Sequence, residues 1–251
     1  MKGFLEEYGL IIVVVAVILL MLLFGKSGYA KNIQDAILGS ANHIVETGEN
    51  ITKKQTGDIL KIEGKEYIVL EARENNQALV MNISRISYDQ FQSTDRTDGQ
   101  NDNTYERSEI DNYLENEWYN GLSSTMKSAI QPTNIKQASY KTDNDPDSKQ
   151  ETGYNGQVYN TISRHAFLPS VDEIGKVVDL KNPDKVKAFL NGEYILTRDS
   201  YQGNSIWIEF LSAYDGTLYS TSVGNYRDVR STFVIDLSKV DYKTVGHTDY
   251  K

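Results

Sequence analysis

Asp143, Asp145 and Asp147 alternate with Asn144 and Pro146, so three carboxylates recur at a spacing of two in one polar stretch. Calcium takes six to eight oxygen ligands from a flexible loop, and this spacing can turn three carboxylates toward one centre. An EF-hand's central glycine and closing glutamate are missing, and Pro146 stiffens the loop. A solvated acidic loop is therefore the simpler reading, with calcium as the one candidate cofactor. Asp95, Asp98 and Asp102 form a sparser set of the same kind.

Covalent chemistry is harder to find. The chain has no cysteine, which removes a thiolate nucleophile, a thiolate metal site and any disulfide framework. Its three histidines, His43, His165 and His247, are far apart in sequence. There is no HExxH and no phosphate-cradling glycine loop. Acidic pairs such as Glu6/Glu7 and Asp172/Glu173 are expected in a chain with 35 acids. Glu173, three residues after Ser170, reads as half of a capping box. No catalytic residue is assigned and no enzyme activity is expected.

Recognition is better served. Tyr201, Asn204, Tyr214, Tyr219, Asn225 and Tyr226 gather in the last β-rich region, around Trp207. Aromatic rings with amides suit a carbohydrate or protein ligand. Trp207 itself is expected in the core, and Arg198 and Arg230 are expected in structural ion pairs. The net charge of −9 argues against nucleic acid as a partner.

The elements that would position these residues follow from patterning. Asp58–Ile62, Glu66–Ala72 and Ala78–Ile83 read as a three-stranded meander with turns at 63–65 and 74–76. Ser87–Thr104 reads as a loop. Tyr105–Ile130 reads as helical, with Ser108 and Asp111 at capping spacing and a second short helix after Ser123 or Ser124. Ile135–Tyr140 is a candidate strand and Lys141–Gly156 a loop. A short strand, His165–Leu168, leads to the capped helix at Ser170 and to a helix opened by Asn182-Pro183. Tyr194–Arg198, Ile206–Leu211, Leu218–Ser222 and Val229–Asp236 read as strands.

The amino-terminal end is of another kind. Leu10–Phe24 holds fifteen apolar residues without a break. As a helix, the uncharged run from Tyr8 to Gly25 spans about 27 Å, enough for a bilayer core. Small residues at Gly28 and Ala30 would suit signal cleavage, but Glu6 and Glu7 ahead of the run do not, and a retained anchor is preferred. Ile33, Ile37, Ala41 and Ile44 recur at helical spacing as an amphipathic stalk. The expected organisation is a membrane anchor at 1–30, a stalk and linker at 31–56, an extracellular body at 57–242 and a flexible tail at 243–251.

Two resemblances bear on this reading. Glu6, Glu7, Tyr8 and the run from Leu10 to Phe24 resemble the start of short type IV (Flp/Tad) pilins. That likeness implies self-association through the helix, in an extracellular filament. A cut after Gly3 would put Glu7 at mature position four, where those proteins carry their glutamate at five. The blocks FLPSVDEI, YILTRDSY and VRSTFVIDLS resemble a family of domains of unknown function on surface and mobile-element proteins of Gram-positive bacteria. Those domains look in turn like the C-type-lectin and formylglycine-generating-enzyme fold. Ser231-Thr232 stand where that family commonly has Pro-Ala. The resemblance implies an α+β, C-type-lectin-like body of short mixed strands and helices behind a long transmembrane and stalk helix. It also implies a non-catalytic recognition or adhesion role at the cell surface, since formylglycine chemistry needs cysteines.

Overall fold

Alternation of apolar side chains sets the first three strands, β1 (Asp58–Ile62), β2 (Lys65–Ala72) and β3 (Gln77–Asn82), which pair antiparallel as a meander. Their turns use left-handed backbone at Glu63, Gly64, Asn75 and Asn76, conformations that glycine and asparagine adopt most readily. In the computed structural model residues 54–98, 101–139, 151–152, 158–201, 204 and 206–251 are described. The chain divides into two units, Met1–Thr52 and Lys53–Lys251, and every described residue belongs to the second.

The rest of that unit follows in order. A short β4 (Ser87–Asp89) precedes α1 (Glu109–Asn112), which widens into π-helical turns over Tyr113–Trp118. Next come α2 (Ser124–Ala129), β5 (Ile130–Gln131), β6 (Thr133–Ser139), β7 (Glu151–Thr152) and β8 (Val158–Arg164). Then come α3 (Val171–Ile174), α4 (Pro183–Leu190), β9 (Ile195–Ser200), β10 (Trp207–Leu211) and β11 (Leu218–Ser222). The chain closes with β12 (Arg227–Val229), β13 (Thr232–Asp236) and β14 (Tyr242–His247).

Three sheets result: a six-stranded one ordered β14-β1-β2-β3-β13-β5, a five-stranded one ordered β11-β10-β9-β12-β4, and a small one ordered β6-β8-β7. The six-stranded sheet is buried on both faces at its β2 and β3 centre, while its edge strand β14 is largely exposed. Ala78 and Val80 point into a cluster with Leu60, Ile62, Phe233 and α2's Met126, while Leu79 and Met81 point into the main core with Phe167, Ile174, Ile195 and Val229. The period of two along β3 thus feeds two cores from one strand.

Several expectations are corrected. Among the described residues, strand accounts for 39% and helix for 18%, so the body is mostly β rather than the expected α+β mixture. The two helices expected over Tyr105–Ile130 form as α1 and α2, capped by Ser108 and Ser123, but the first starts only at Glu109 and Ile130 belongs to β5. No helix among the described residues is long and apolar enough to cross a membrane, and none forms a stalk. The long transmembrane and stalk helix is therefore no part of the described fold. The segments on which it was placed, with Glu6, Glu7, Tyr8, Leu10 and Phe24, lie outside the described residues. Residues expected as a frayed tail instead form β14, paired with β1 from Asp58↔His247 to Ile62↔Tyr242. Tyr250 beyond it packs edge-on against Phe189 at 5.9 Å.

The run Val229–Asp236, expected as one strand, is two strands in two sheets. Val229 ends β12, Arg230 and Ser231 make the crossing, and Thr232 begins β13. Arg230 is buried there, its Nε donating to Glu193 at 2.8 Å and its Nη2 to the Leu190 carbonyl at 2.9 Å.

Candidate recognition site

The β10–β11 hairpin places Phe210 directly opposite Tyr219, and their rings stack with centroids 6.1 Å apart. Directly paired residues share a sheet face, so this contact follows from the register. The turn is closed by Gly216 at φ +73°, where any Cβ would collide with the Pro183 carbonyl at the start of α4. Asp215 in the same turn accepts from the Tyr219 hydroxyl at 2.6 Å. That hydrogen bond holds the Asp215 carboxyl below its usual range. The Tyr219 ring is thereby tethered at its tip and stacked along its body.

Arg227, on β12, completes the group. Its guanidinium lies 4.4 Å from the centre of the Phe210 ring. Nη1 donates to the Tyr226 carbonyl at 2.7 Å and Nη2 to Thr221 Oγ1 at 3.1 Å. Asn225 donates to the same Thr221 oxygen at 2.7 Å. Tyr194 leans on Phe210 with centroids 6.4 Å apart. Tyr226 stacks on Tyr88 of β4 at 5.7 Å. Phe210 is covered, while Tyr88, Tyr194, Tyr219 and Tyr226 are all exposed. Tyr194, Phe210, Tyr219 and Arg227 thus form one group on one face of the sheet, whereas Tyr88 is paired with Asp228 and lies with Tyr226 on the other face.

Of the sequence-derived candidates, Tyr219 and Asn225 meet here, whereas Tyr226 reaches Arg227 only through its carbonyl and turns its ring to Tyr88 on the other face. Tyr201 and Asn204 do not meet here; they surround Trp207 at the start of β10, three residues or roughly 10 Å along the strand. Tyr201 packs against Trp207 with centroids 5.7 Å apart, and its N–H donates to the Trp207 carbonyl at 3.0 Å. Asn103 donates to the carbonyls of Asn204 and Trp207 at 2.8 and 2.9 Å. Trp207, expected in the core, is 39% exposed, because it starts the strand at the open end of the hairpin. Tyr214, 84% exposed in the Ser212–Thr217 turn, touches neither group through a ring contact. Phe210, Tyr88, Tyr194 and Arg227 were missed. Phe210 was recoverable from the hairpin register, but Arg227 was not, since its importance depends on where the acids go.

The metal candidates fare differently. Asp143, Asp145 and Asp147 lie outside the described residues. Asp98 is taken by Arg96, with Nη2 at 2.5 Å, and Asp102 accepts the Arg96 N–H at 2.8 Å. Among the described residues no cluster of acids and histidines could hold a metal ion. Arg198 and Arg230 do form ion pairs, with Glu173 and Glu193.

A family model described as a domain of unknown function (DUF6273) matches residues 74–237. The chain belongs to this family. The match contains the whole platform from Tyr194 to Arg227 and leaves out β1, β2 and β14, so half of the six-stranded sheet lies beyond it. The expected resemblance to a domain of unknown function holds in that form. Nothing shows its C-type-lectin-like and pilin-like parts: no curated protein and no solved structure matches the chain.

Proposed function

We propose that the body is a non-catalytic recognition module that takes carbohydrate on the tyrosine platform of its five-stranded sheet. The observation that carries this reading is the stack of Tyr219 on Phe210 beneath Arg227, flanked by exposed Tyr194. Exposed tyrosine faces offer apolar surface to the C–H side of a sugar ring while their hydroxyls stay wet. Asn225 and Thr221 at the edge supply the few polar groups that orient a ligand. Both rings and arginine are fixed before a ligand arrives, which lowers the ordering cost of binding. A location at the cell surface is supported by the uninterrupted apolar run Leu10–Phe24 and by the acidic, tyrosine-rich composition.

The test is a titration of the full-length chain, kept in solution with mild detergent, against neutral and acidic oligosaccharides and against peptides. Saccharide binding that Tyr219→Ala and Tyr194→Ala each weaken supports the reading. Binding of peptides alone, or saccharide binding indifferent to both changes, overturns it.

A further inference from the structure

Among the described residues each of the three sheets ends in two edge strands, and all but one of these are short, charged or covered. β14 carries Lys243 and His247. β4 has three residues and includes Asp89, and β5 and β7 have two residues each. β6 carries Lys136, whose carbonyl accepts from Arg198 Nε of β9 at 2.7 Å. β11 differs: its five residues, Leu218 to Ser222, include no charge and no proline, and its register against β10 has no bulge. Charges, prolines, bulges and short length are the devices that keep an open edge from pairing.

The free side of β11 follows from the ladder. Ser212 N–H donates to the Thr217 carbonyl and Val223 N–H to the Ile206 carbonyl, both at 2.9 Å. Bonded and non-bonded pairs alternate along an antiparallel ladder, so Phe210/Tyr219 and Ile208/Thr221 are the bonded pairs between those two. Leu218, Ser220 and Ser222 therefore turn their N–H and C=O groups away from β10. Among the described residues only the Ser222 carbonyl finds a partner on that side, the Asn225 N–H at 3.0 Å. All three residues are half-buried, so the edge is open to a further strand.

We infer that β11 is a docking edge for a second copy of this chain, paired antiparallel with its own counterpart about Ser220. The strand is complementary to itself. Ser220 meets Ser220, Leu218 meets Ser222, and Tyr219 meets Thr221 as an aromatic and β-branched pair, with no like charges opposed. Such an isologous contact closes at two copies. One strand pair buries far less than the ~1,000 Å² of a stable interface, so the partner must be held nearby. The apolar run Leu10–Phe24 supplies that condition for a second copy and not for an unrelated peptide, because anchors in one bilayer raise the effective concentration of the bodies. The net charge of −9 opposes the contact through a repulsion that salt screens, so pairing strengthens with salt. The pairing stands whether or not the platform takes a saccharide.

The experiment uses the full-length chain in phosphatidylcholine vesicles. The chain has no cysteine, so Ser220→Cys and, as a control on exposed β14, Val245→Cys each carry a single thiol. Residues paired at a bonded position lie about 5.5 Å apart between Cα atoms, within disulfide range. Oxidation is expected to cross-link Ser220→Cys about tenfold more than Val245→Cys, and more at high salt than at low. Ser220→Pro is the second variant: β10 does not use the Ser220 N–H, so proline spares the hairpin but blocks a docking strand. Thermal melts check that it folds, and energy transfer between donor- and acceptor-labelled Val245→Cys chains is expected to fall to background when Ser220→Pro is added. Equal cross-linking of the two cysteine variants overturns the inference. Energy transfer that Ser220→Pro leaves unchanged places association elsewhere, as in the apolar run, and overturns it as well. A wild-type chain that stays monomeric in vesicles overturns it even where a synthetic extended peptide binds the edge.

Discussion

The Glu173 carboxylate serves its own helix and Arg198 at once. Its Oε2 accepts from the Ser170 N–H at 3.0 Å, closing the capping box of α3, and from Arg198 Nη1 at 2.6 Å, while Oε1 accepts from Nη2 at 2.7 Å. Arg198 comes from β9, is nearly fully buried, and also donates to the carbonyls of Lys136 and Leu168 at 2.7 Å each. One carboxylate therefore ties a four-residue helix, too short to stand alone, to the middle of the five-stranded sheet.

Removing one partner of a buried ion pair costs about 3–5 kcal/mol, because the other charge is left uncompensated. Glu173→Ala is expected to lose that much, seen as a lower urea midpoint. Glu173→Gln keeps the acceptor for Ser170 but not the charge, and should fall between wild type and Glu173→Ala. A loss below about 1 kcal/mol in Glu173→Ala, the range of an exposed pair, would show that water reaches Arg198.

Next to that pair, Asp199 behaves as a buried acid. Burial pushes its carboxyl from the ordinary 3.8 up to about 6, against the pull of Arg198 and of the Val171 N–H that Oδ2 accepts at 2.6 Å; Glu173 and Asp172 push it the same way as burial. Its other oxygen, Oδ1, has no hydrogen-bond partner. With the folded value above the unfolded one, the contribution to stability is present below about pH 3.8 and is lost as pH rises to about 6, a change of about 3 kcal/mol. Asp199→Asn keeps an acceptor for Val171 and has nothing to titrate. The stability difference between Asp199→Asn and wild type should therefore shift in favour of the variant between pH 4 and pH 6. Urea midpoints at those two pH values decide it; a difference that does not move with pH would place Asp199 in contact with water.

Much of the sheet structure was legible because the period of two is a property of side chains. β1 to β3 and β11 appear where alternation puts them, and Ser108, Ser123, Ser170 and Asn182 cap helices as their spacing suggests. At Ser108 the side chain accepts the Asp111 N–H, but the Asp111 carboxylate goes to Arg164 and the Arg107 N–H, so that box closes on one side only. β14 was invisible because its side chains are largely exposed, and it is held to β1 by the backbone ladder and one side-chain pair, His247 with Asp58. The break between β12 and β13 was hidden for the opposite reason: Arg230 and Ser231 are buried polar residues inside an apolar run. The platform was half legible. Tyrosine and asparagine types marked Tyr219 and Asn225, but only the register brings Phe210 under Tyr219 and Arg227 and turns Tyr226 to the other face.

The hairpin turn that anchors Tyr219 gives a local prediction. Gly216 sits in left-handed backbone and against the Pro183 carbonyl, so Gly216→Ala meets both a conformational and a steric penalty. It is expected to cost about 1–3 kcal/mol, in the range of strained single-residue conformations. Because Asp215 and Tyr219 are linked through this turn, the same change should weaken saccharide binding more than Lys187→Ala, which removes only an exposed pair with Asp184. Melting temperature and saccharide Kd, measured together on both variants, test it; equal effects would separate the turn from the platform.

The two tryptophans report on opposite parts of the unit. Trp118 is tilted against Phe233 at 5.7 Å and packs on both apolar clusters, whereas Trp207 is exposed beside Tyr201 at the other end of β10 from the hairpin turn. Trp207 is three residues from Phe210 in a regular ladder, so its ring faces away from Tyr219, and saccharide on the platform is expected to leave tryptophan fluorescence unchanged. A tryptophan signal that Trp207→Phe abolishes would put the ligand on the Tyr201–Trp207 face instead, and Trp207→Phe itself is expected to change stability by less than about 1.5 kcal/mol, since its ring is only partly removed from water. A signal that survives Trp207→Phe would come from Trp118, and would mean that binding on the five-stranded sheet reaches the core of the six-stranded one.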